Sequence, residues 1–296
     1  MRVYIEIDSQ FCFIMKKLRV VTLFSGYDSQ CLALERLKKS HSDFDYELIA
    51  WSEFDPMSKQ PIEKQPAVIA HNALFPQWAD RNLGDVSKID WSKVEDFDFM
   101  TYSSPCQDFS NAGLQKGGEE GSGTRSSLLW ECKRAIEAKR PRILVFENVK
   151  SLVGKKFMPL FQSWCDTLTE YGYTNFWKVL NAKDYGVPQN RERVIMVSIL
   201  NPDRMYHFPK PFEANLVLND VLEDKVEEKY YLSKKIVDGF LEHNKNHHKK
   251  GTGFLWKPTD KNGYAKCLRA NPALCPTDNT IEDESNSNRE HSEAKE

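Results

Sequence analysis

Residues 19–26 read RVVTLFSG, an apolar run that ends in Ser25-Gly26. The run predicts a short buried strand, and the serine and glycine predict a tight turn after it. Residues 29–39 then carry leucines at roughly helical spacing. A strand, a turn and a helix in this order are typical of an open α/β sheet, which binds nucleotide ligands at its strand-to-helix turns.

The alternation of strand and helix continues through the first two thirds of the chain and predicts a parallel-sheet, Rossmann-like α/β domain over residues 17–200. Further strands are expected at Tyr46–Trp51, Asp98–Tyr102, Ile143–Phe146, Phe176–Leu180 and Arg193–Ile199, with helices near 126–139 and 156–170. The last two strands are expected to be adjacent.

The segments outside that domain differ in composition. Residues 1–16 are interpreted as an N-terminal extension without the features of a signal peptide. Residues 201–280 show weak periodicity apart from a possible helix at 233–243. Residues 281–296 carry six acidic and two basic side chains, which predicts a disordered acidic tail.

Overall composition points to a cytoplasmic protein with no membrane partner. The 296 residues have a net charge of −2 and are 40% hydrophobic, and no apolar run approaches the roughly 18 residues of a membrane helix. The seven cysteines include no Cys-x-x-Cys pair and no zinc-ligand spacing, so no metal site is expected.

The turn after the first strand favours a cofactor without phosphates. A phosphate-binding loop requires G-x-G-x-x-G, whereas only Gly26 is present here and Asp28 would repel a pyrophosphate. S-adenosyl-L-methionine fits this pattern. Glu53 could bind the ribose hydroxyls, Phe54 could stack on adenine, and Asp85 could accept from the adenine amino group. Each acid could instead be a helix cap or a solvated turn residue.

Cys106 and Glu147 each follow an apolar run and are expected at the same edge of the sheet. A thiol nucleophile and a carboxylic acid can attack and protonate an electron-poor ring together. The alternative for Cys106 is a small buried hydrophobe. A phosphatase is excluded because Ala112 stands where its arginine would be.

Arg191 and Arg193 alternate along a strand, so both are expected on one face. Two guanidinium groups in the same crevice suit a carbonyl oxygen and a phosphate. The alternative is a surface charge ladder.

Seven motifs together resemble the cytosine-C5 DNA methyltransferases of bacterial restriction–modification systems and phages. They appear in the family's order and approximate spacing: LFSG (23–26), SEFD (52–55), GDV (84–86), SPCQDFSNAG (104–113), SSLLWE (126–131), ENV (147–149) and YGVPQNRERV (185–194).

The resemblance implies double-stranded DNA as substrate and a flipped-out cytosine as target. It implies that Cys106 attacks C6, that Glu147 holds N3, and that Arg191 and Arg193 hold the carbonyl and neighbouring groups. Gln107 and Ser110 match a loop that contacts DNA. The positions that match the cofactor pocket are Phe24, Gly26, Glu53, Phe54, Asp85, Val86, Pro105 and Leu128.

The sequence departs from the family pattern in two places. Tyr27-Asp28 stand where a glycine pair is common. The family's R-x-L-T-P-R-E-like motif and its G-N-x-V-like closing helix are not found, so a C-terminal truncation with a small, incomplete target-recognition region is expected.

Three functions remain open from the sequence. The first is an active DNA methyltransferase, working with or without a cognate restriction endonuclease. The second is a non-catalytic remnant, or one subunit that needs a complementing C-terminal polypeptide. The third is a tRNA cytosine-C5 methyltransferase.

Overall fold

The computed structural model describes residues 17–105, 125–200, 205–212, 214–250, 255–268 and 279–282. The chain divides into two compact units. The first comprises Arg2–Leu180 and Arg193–Pro209, and the second mainly Asn181–Glu192 and Lys210–Glu296. Residues 181–192, predicted as part of the catalytic domain, therefore group with the C-terminal part of the chain. The predicted N-terminal extension and most of the predicted acidic tail lie outside the described residues.

The first unit is built around a six-stranded sheet. The strands of the whole chain are β1 (Leu18–Leu23), β2 (Tyr46–Ser52), β3 (Phe99–Tyr102), β4 (Ile143–Val149), β5 (Thr174–Asn181), β6 (Gln189–Asn190), β7 (Glu192–Ile199) and β8 (Ala265–Lys266). The sheet has the order β2-β1-β3-β4-β7-β5. Strands β2, β1, β3 and β4 are parallel, and β7 is antiparallel to β4. The α/β class is confirmed, and the sheet is mixed because β7 runs antiparallel to β4.

Strands β1, β2 and β3 end in register with one another, and β4 continues three residues beyond them. Leu23 of β1 pairs with both Ser52 of β2 and Tyr102 of β3, and Tyr102 pairs with Phe146 of β4. These four side chains are buried. The residues that follow them in the chain therefore begin at one edge of the sheet, which is where open α/β sheets bind their ligands.

Helices cover both faces of this sheet. The helices of the chain are α1 (Ser29–Ser40), α2 (Pro66–Leu74), α3 (Glu131–Lys139), α4 (Met158–Glu170) and α5 (Lys234–Lys250). Short 3-10 turns occupy Ile62–Lys64, Pro76–Arg81, Val86–Lys88, Trp91–Lys93, Arg125–Trp130, Lys150–Val153, Ala182–Tyr185, Leu218–Val221 and Glu228–Tyr230. The sequence predicted α1, α3 and α4 but missed α2.

Alternation along β1 shows how the two faces are filled. Leu18 and Val20 pack in a cluster with buried residues of α1 and α2. Val21 and Leu23 pack in a second, larger cluster with buried residues of α3 and α4. Successive strand residues point to opposite faces, so one apolar strand supplies both halves of the core.

The second unit has little regular structure. Strands β6 and β8 form a two-stranded parallel sheet. Helix α5 confirms the helix predicted at 233–243 and extends it to Lys250. Asn244 fixes the segment after the helix, because its amide donates to the Trp256 carbonyl and accepts from the Trp256 N–H, both at 2.7 Å.

Among the residues described, no helix is both long enough and apolar enough to span a membrane.

Trp164 of α4 provides a test of the core. Its side chain is fully buried, and its Nε1 donates to the Tyr102 hydroxyl at 3.1 Å. Replacing a buried tryptophan by alanine leaves a cavity, so Trp164→Ala is expected to lower the free energy of unfolding by about 3–5 kcal/mol. The matched control is Trp177→Ala on β5, where the ring is 42% exposed and meets Phe161 edge-on. Its expected loss is about 1 kcal/mol. Urea titration followed by far-ultraviolet circular dichroism measures both, and equal losses would contradict this core.

Candidate active site

The turn between β1 and α1 is held by a hydrogen bond to the end of β2. Gly26 has φ 58°, in the left-handed region that glycine adopts without a steric penalty. Its N–H donates to Glu53 Oε2 at 2.7 Å. A Cβ at Gly26 would meet nothing within 4 Å, so backbone conformation and not crowding favours glycine there. Two predicted cofactor residues, Gly26 and Glu53, are thus brought together.

Asn82 fixes the backbone around Glu53. Its Oδ1 accepts from the Glu53 N–H at 3.2 Å and from the Gly84 N–H at 2.9 Å, and its Nδ2 donates to the Glu53 carbonyl at 3.3 Å. The Ser52 hydroxyl donates to the Gly84 carbonyl at 2.6 Å. These bonds dock the 84–86 segment against the end of β2, a role of Asn82 that sequence reasoning missed.

The surroundings of the Glu53 carboxyl disfavour its charged form. Burial raises its pKa, the nearby charge of Asp55 raises it further, and the Gly26 N–H opposes both. A partly buried carboxylate at this edge has the geometry to accept two hydroxyls of a ribose, and the exposed ring of Phe54 follows it directly. The residues present therefore fit S-adenosyl-L-methionine, which offers a ribose and an adenine.

Asp85 serves as a cap in the structure. Its Oδ1 accepts from the Ser87 N–H at 3.1 Å and the Ser87 hydroxyl at 2.8 Å, and Lys88 Nζ lies 3.5 Å from Oδ2. Burial alone would raise the pKa of Asp85, but the Ser87 bonds and Lys88 outweigh it and the pKa is lowered. This is the capping alternative that the sequence left open, and a contact with the adenine amino group stays a prediction.

The other predicted cofactor residues differ in burial. Val86 is buried in the core. Phe24 and Leu128 are half-buried and pack against the same core cluster. Pro105 is half-buried at the last described position after β3.

Asp28 points into the protein and not toward a ligand. Its side chain is fully buried. Its carboxylate accepts from the Cys31 N–H at 3.1 Å, as the N-cap of α1, and from the Thr22 hydroxyl at 2.8 Å. The expectation that Asp28 presents its charge to a pyrophosphate is therefore corrected, because these donors and the fold of the turn direct it inward.

Glu147 and Arg193, two of the predicted catalytic residues, lie in contact with each other. Arg193 Nε lies 2.9 Å from Glu147 Oε1, with both side chains partly exposed. Val149 of β4 stands opposite Arg193 of β7, so Glu147 is the diagonal neighbour of Arg193, within reach of a long side chain. Glu147 lies inside β4 and not beyond its end, since the strand continues through the polar residues to Val149.

Asn148 ties β4 to the segment after β3. Its buried Nδ2 donates to the Ser104 carbonyl at 3.1 Å and lies 3.4 Å from the Ser104 hydroxyl. Ser104 and Pro105 directly precede Cys106 in the sequence. Sequence reasoning missed this contact of Asn148, although its place beside Glu147 in the ENV motif was the available signal.

Arg191 has different partners from Arg193. Its Nη1 donates to Cys267 Sγ at 3.3 Å and to the Leu268 carbonyl at 3.4 Å, all within the second unit. Its N–H also donates to Asn181 Oδ1 at 3.0 Å. A shared catalytic role for both arginines stays a prediction.

The described residues stop at Pro105 and resume at Arg125, so Cys106, Gln107 and Ser110 lie outside them. Among the described residues, Cys31, Cys132 and Cys165 are free buried thiols. Burial raises the pKa of Cys165 to about 12 and that of Cys31 and Cys132 still further. These three thiols are therefore unsuited to act as nucleophiles at neutral pH. No group of potential metal ligands occurs among the described residues.

Comparison with known proteins identifies the family. Residues 18–295 match the model of the C-5 cytosine-specific DNA methylase family. The chain belongs to this family. The resemblance and the Rossmann-like methyltransferase fold are thereby confirmed, and S-adenosyl-L-methionine is the family's cofactor.

Curated relatives agree with the family assignment. The chain is 54% identical over 153 residues to the type II methyltransferase M2.ScrFI of Lactococcus lactis subsp. cremoris, covering 52% of this chain and 42% of the relative. It is 36% identical over 171 residues to M.NlaX of Neisseria lactamica, covering 58% and 54%. It is 32% identical over 261 residues to the orphan methyltransferase M.SssI of Spiroplasma monobiae, covering 71% and 67%. The chain thus spans about half the length of the first two.

Solved structures share the fold. The Dnmt2 methyltransferase of S. pombe superimposes with a TM-score of 0.64 at 16% identity, covering 94% of this chain and 80% of that one. A DNA modification methyltransferase from an E. coli prophage gives 0.53 at 17% identity, covering 84% and 82%. At these identities the likeness establishes the architecture alone.

Glu53→Gln separates cofactor binding from stability. Because burial raises the pKa of Glu53, the charged carboxylate is unfavourable in the folded protein at neutral pH. Glutamine keeps an acceptor for Gly26 without that charge, so the variant should be at least as stable as the wild type. It should bind S-adenosylhomocysteine about tenfold more weakly, a difference of about 1.4 kcal/mol, because the charged acceptor is lost. Isothermal titration calorimetry and thermal unfolding measure the two effects.

The wild type and Glu53→Gln should also differ in how cofactor affinity and stability change with pH. The Glu53 carboxylate of the wild type takes up a proton at a higher pH than an ordinary glutamate. The affinity of the wild-type protein for S-adenosylhomocysteine should therefore fall as the pH is lowered through that raised pKa. Over the same range the wild type should gain stability relative to Glu53→Gln, since the folded state binds the proton more tightly than the unfolded state. Parallel pH profiles for the two proteins would contradict this account.

Asn148→Ala tests the tie to Ser104. Removing the amide leaves the buried Ser104 carbonyl without this donor, which is expected to reduce the free energy of unfolding by about 1–3 kcal/mol. The matched control is Asn175→Ala, whose Nδ2 donates to the Cys165 carbonyl at 3.0 Å. Asn148→Ala should also lower the rate of methyl transfer at saturating substrates, whereas the control should change stability alone. Equal rates in both variants would exclude a positioning role for Asn148.

Proposed function

We propose that this chain is a DNA (cytosine-5-)-methyltransferase, which transfers a methyl group from S-adenosyl-L-methionine to C5 of a cytosine in double-stranded DNA. The contact between Arg193 and Glu147 at 2.9 Å carries the proposal. It places a guanidinium and a carboxyl side by side, beside the segment that Asn148 ties to β4. A cytosine offers matching groups, a ring nitrogen N3 next to a carbonyl oxygen.

The proposed chemistry begins with the target base outside the helix, because C5 and C6 are inaccessible inside the stack. The Cys106 thiolate forms a bond to C6 while Glu147 donates a hydrogen bond or a proton to N3. Arg193 holds the neighbouring carbonyl oxygen, and Arg191 is the second proposed arginine. The electron pair that the sulfur adds makes C5 nucleophilic.

When bound, S-adenosyl-L-methionine supplies the electrophilic methyl group. The residues proposed to hold it are Phe24, Gly26, Glu53, Phe54, Asp85, Val86, Pro105 and Leu128. After the methyl group has bonded to C5 and S-adenosylhomocysteine has left, a water molecule takes up the C5 proton and the electron pair of that C–H bond re-forms the double bond between C5 and C6. The bond between C6 and Cys106 then breaks, and Glu147 recovers any proton that it gave to N3. The thiolate leaves and the aromatic ring is restored, so atoms and electrons balance over the cycle.

The partners of the chain follow from this chemistry. Gln107 and Ser110 are proposed to contact the DNA duplex on the loop after Cys106, and the cytoplasm of a bacterium or phage-infected cell is the proposed location. A cognate restriction endonuclease or a complementing C-terminal polypeptide would extend the proposal, since the chain spans 42% of M2.ScrFI and 54% of M.NlaX.

Methyl transfer from tritiated S-adenosyl-L-methionine to unmethylated phage DNA tests the proposal. Wild-type protein should label DNA, and Cys106→Ala should not. Glu147→Gln should slow the reaction by about 10²–10⁴-fold, the usual contribution of an acid–base group. Glu192→Gln is the matched control, because Glu192 is an exposed carboxylate on β7. It should react at the wild-type rate.

A covalent trap checks the role of Cys106 directly. In DNA with 5-fluorocytosine at the target, fluorine cannot leave C5 as a proton does, so the bond between sulfur and C6 should persist. The expected product is an adduct that survives denaturing electrophoresis and disappears in Cys106→Ala. Label on tRNA and never on DNA would overturn the proposal. Label that requires an added C-terminal polypeptide would assign the activity to a split enzyme.

A further inference from the structure

The turn that carries Gly26 contains a second residue with an unusual backbone. Asp28 has φ 63° and ψ 60°, in the left-handed region, where glycine is the residue without steric strain. Aspartate adopts this conformation more readily than most residues because its short side chain bonds locally. The Cys31 N–H and the Thr22 hydroxyl are two such bonds, at 3.1 and 2.8 Å.

A third partner of Asp28 comes from a distant part of the chain. His71 of α2 places its Nε2 3.5 Å from Asp28 Oδ2, and both side chains are fully buried. A buried carboxylate is strongly unfavourable unless it is paired and hydrogen-bonded. His71 Nε2 makes no hydrogen bond with the described residues and faces the carboxylate at that distance, so the histidine adds a close polar contact to the two hydrogen bonds from Cys31 and Thr22.

His71 is in turn fixed by Trp51 of β2. The two rings stack with centroids 3.6 Å apart and planes 14° from parallel. Trp51 is fully buried, and its Nε1 donates to the Trp78 carbonyl at 2.9 Å. The histidine ring thus has one fixed position, set by β2, from which it meets the turn after β1.

These contacts connect the two halves of the cofactor-binding edge. Asp28 stands two residues after Gly26, and Trp51 stands two residues before Glu53. Gly26 and Glu53 are themselves joined by the bond of 2.7 Å. On the far side of the turn, the Ser25 hydroxyl lies 2.9 Å from that of Thr22, which donates to Asp28. The two segments, 25–28 and 51–53, are therefore joined twice: directly by the bond between Gly26 and Glu53, and through His71 by its contacts with Asp28 and Trp51.

From this geometry we infer that Asp28 and His71 are positioning residues for the cofactor: they hold the Gly26 turn at the spacing from Glu53 that S-adenosyl-L-methionine requires. The pair takes over the conformational role that a glycine can fill at position 28 without side-chain contacts. The inference rests on the proposed use of that cofactor. It gives the Tyr27-Asp28 departure a structural purpose, since the aspartate is accompanied by its own buried partner.

The test is a double-mutant cycle read by binding of S-adenosylhomocysteine in isothermal titration calorimetry. Asp28→Gly removes the carboxylate that faces His71 Nε2, and His71→Phe keeps the stack on Trp51 but removes the contact with Asp28. Each single variant should weaken binding about tenfold, or about 1.4 kcal/mol. The double variant should bind more tightly than the sum of the two losses predicts, because neither unpaired group remains.

Two further variants separate positioning from general stability. His71→Gln retains an N–H near the position of Nε2 and should restore affinity to within about threefold of the wild type, or about 0.7 kcal/mol. Tyr173→Phe removes a buried hydrogen bond, from its hydroxyl to the Pro141 carbonyl at 2.7 Å, in the core cluster of α3 and α4. It should lower the melting temperature and leave the dissociation constant unchanged.

The outcomes distinguish this inference from the proposed function. Single variants that bind as the wild type does, or losses that add without coupling, would overturn the inference. If the single variants fail to fold, the double variant and His71→Gln decide: equal affinity in these two would overturn it. Wild-type protein that binds S-adenosylhomocysteine but methylates no nucleic acid would contradict the proposed function alone. Wild-type protein that binds none would overturn both.

Discussion

Backbone pairing at the carboxyl ends of four parallel strands determines where every group of the site lies. Leu23 pairs with Ser52 and with Tyr102, and Tyr102 pairs with Phe146. Of the four residues that follow this row, three are polar, and the fourth is Phe24 after Leu23. Glu53 follows Ser52 and Glu147 follows Phe146. A shift of one residue in any pairing would move the side chains of a strand from the face covered by α1 and α2 to the face covered by α3 and α4. The register therefore fixes the site more strongly than any single side-chain contact.

The edge holds polar groups in environments that do not favour them. Burial raises the pKa of Glu53, and Asp28 is fully enclosed. Such groups persist because neighbouring donors are already oriented toward them: Gly26 for Glu53, and Thr22 for Asp28. Groups oriented in advance do not have to be rearranged when a ligand arrives. Part of the stability supplied by the core is thus used to hold binding groups in place.

The sequence was sufficient for the strands of the six-stranded sheet, because each strand depends on local signals. Apolar runs of four to eight residues mark buried strands, and the residue after each run marks the edge. It was not sufficient for contacts between distant segments. Nothing local pairs His71 with Asp28, or Asn148 with Ser104, since each contact exists only after strands and helices have packed. Helix α2 was missed for the same reason: its short sequence, PAVIAHNAL, is defined by the face it buries.

The reversed strand β7 explains how an arginine reaches an edge made of strand carboxyl ends. In an antiparallel neighbour the first residues of the strand, and not the last, lie at that edge. Arg193 is the second residue of β7 and stands opposite Val149, the last residue of β4. Its side chain needs only to cross diagonally to Glu147, so no loop is required to position it. A regular strand is more rigid than a loop, and the 2.9 Å contact is therefore set by the same hydrogen-bond ladder that sets the sheet.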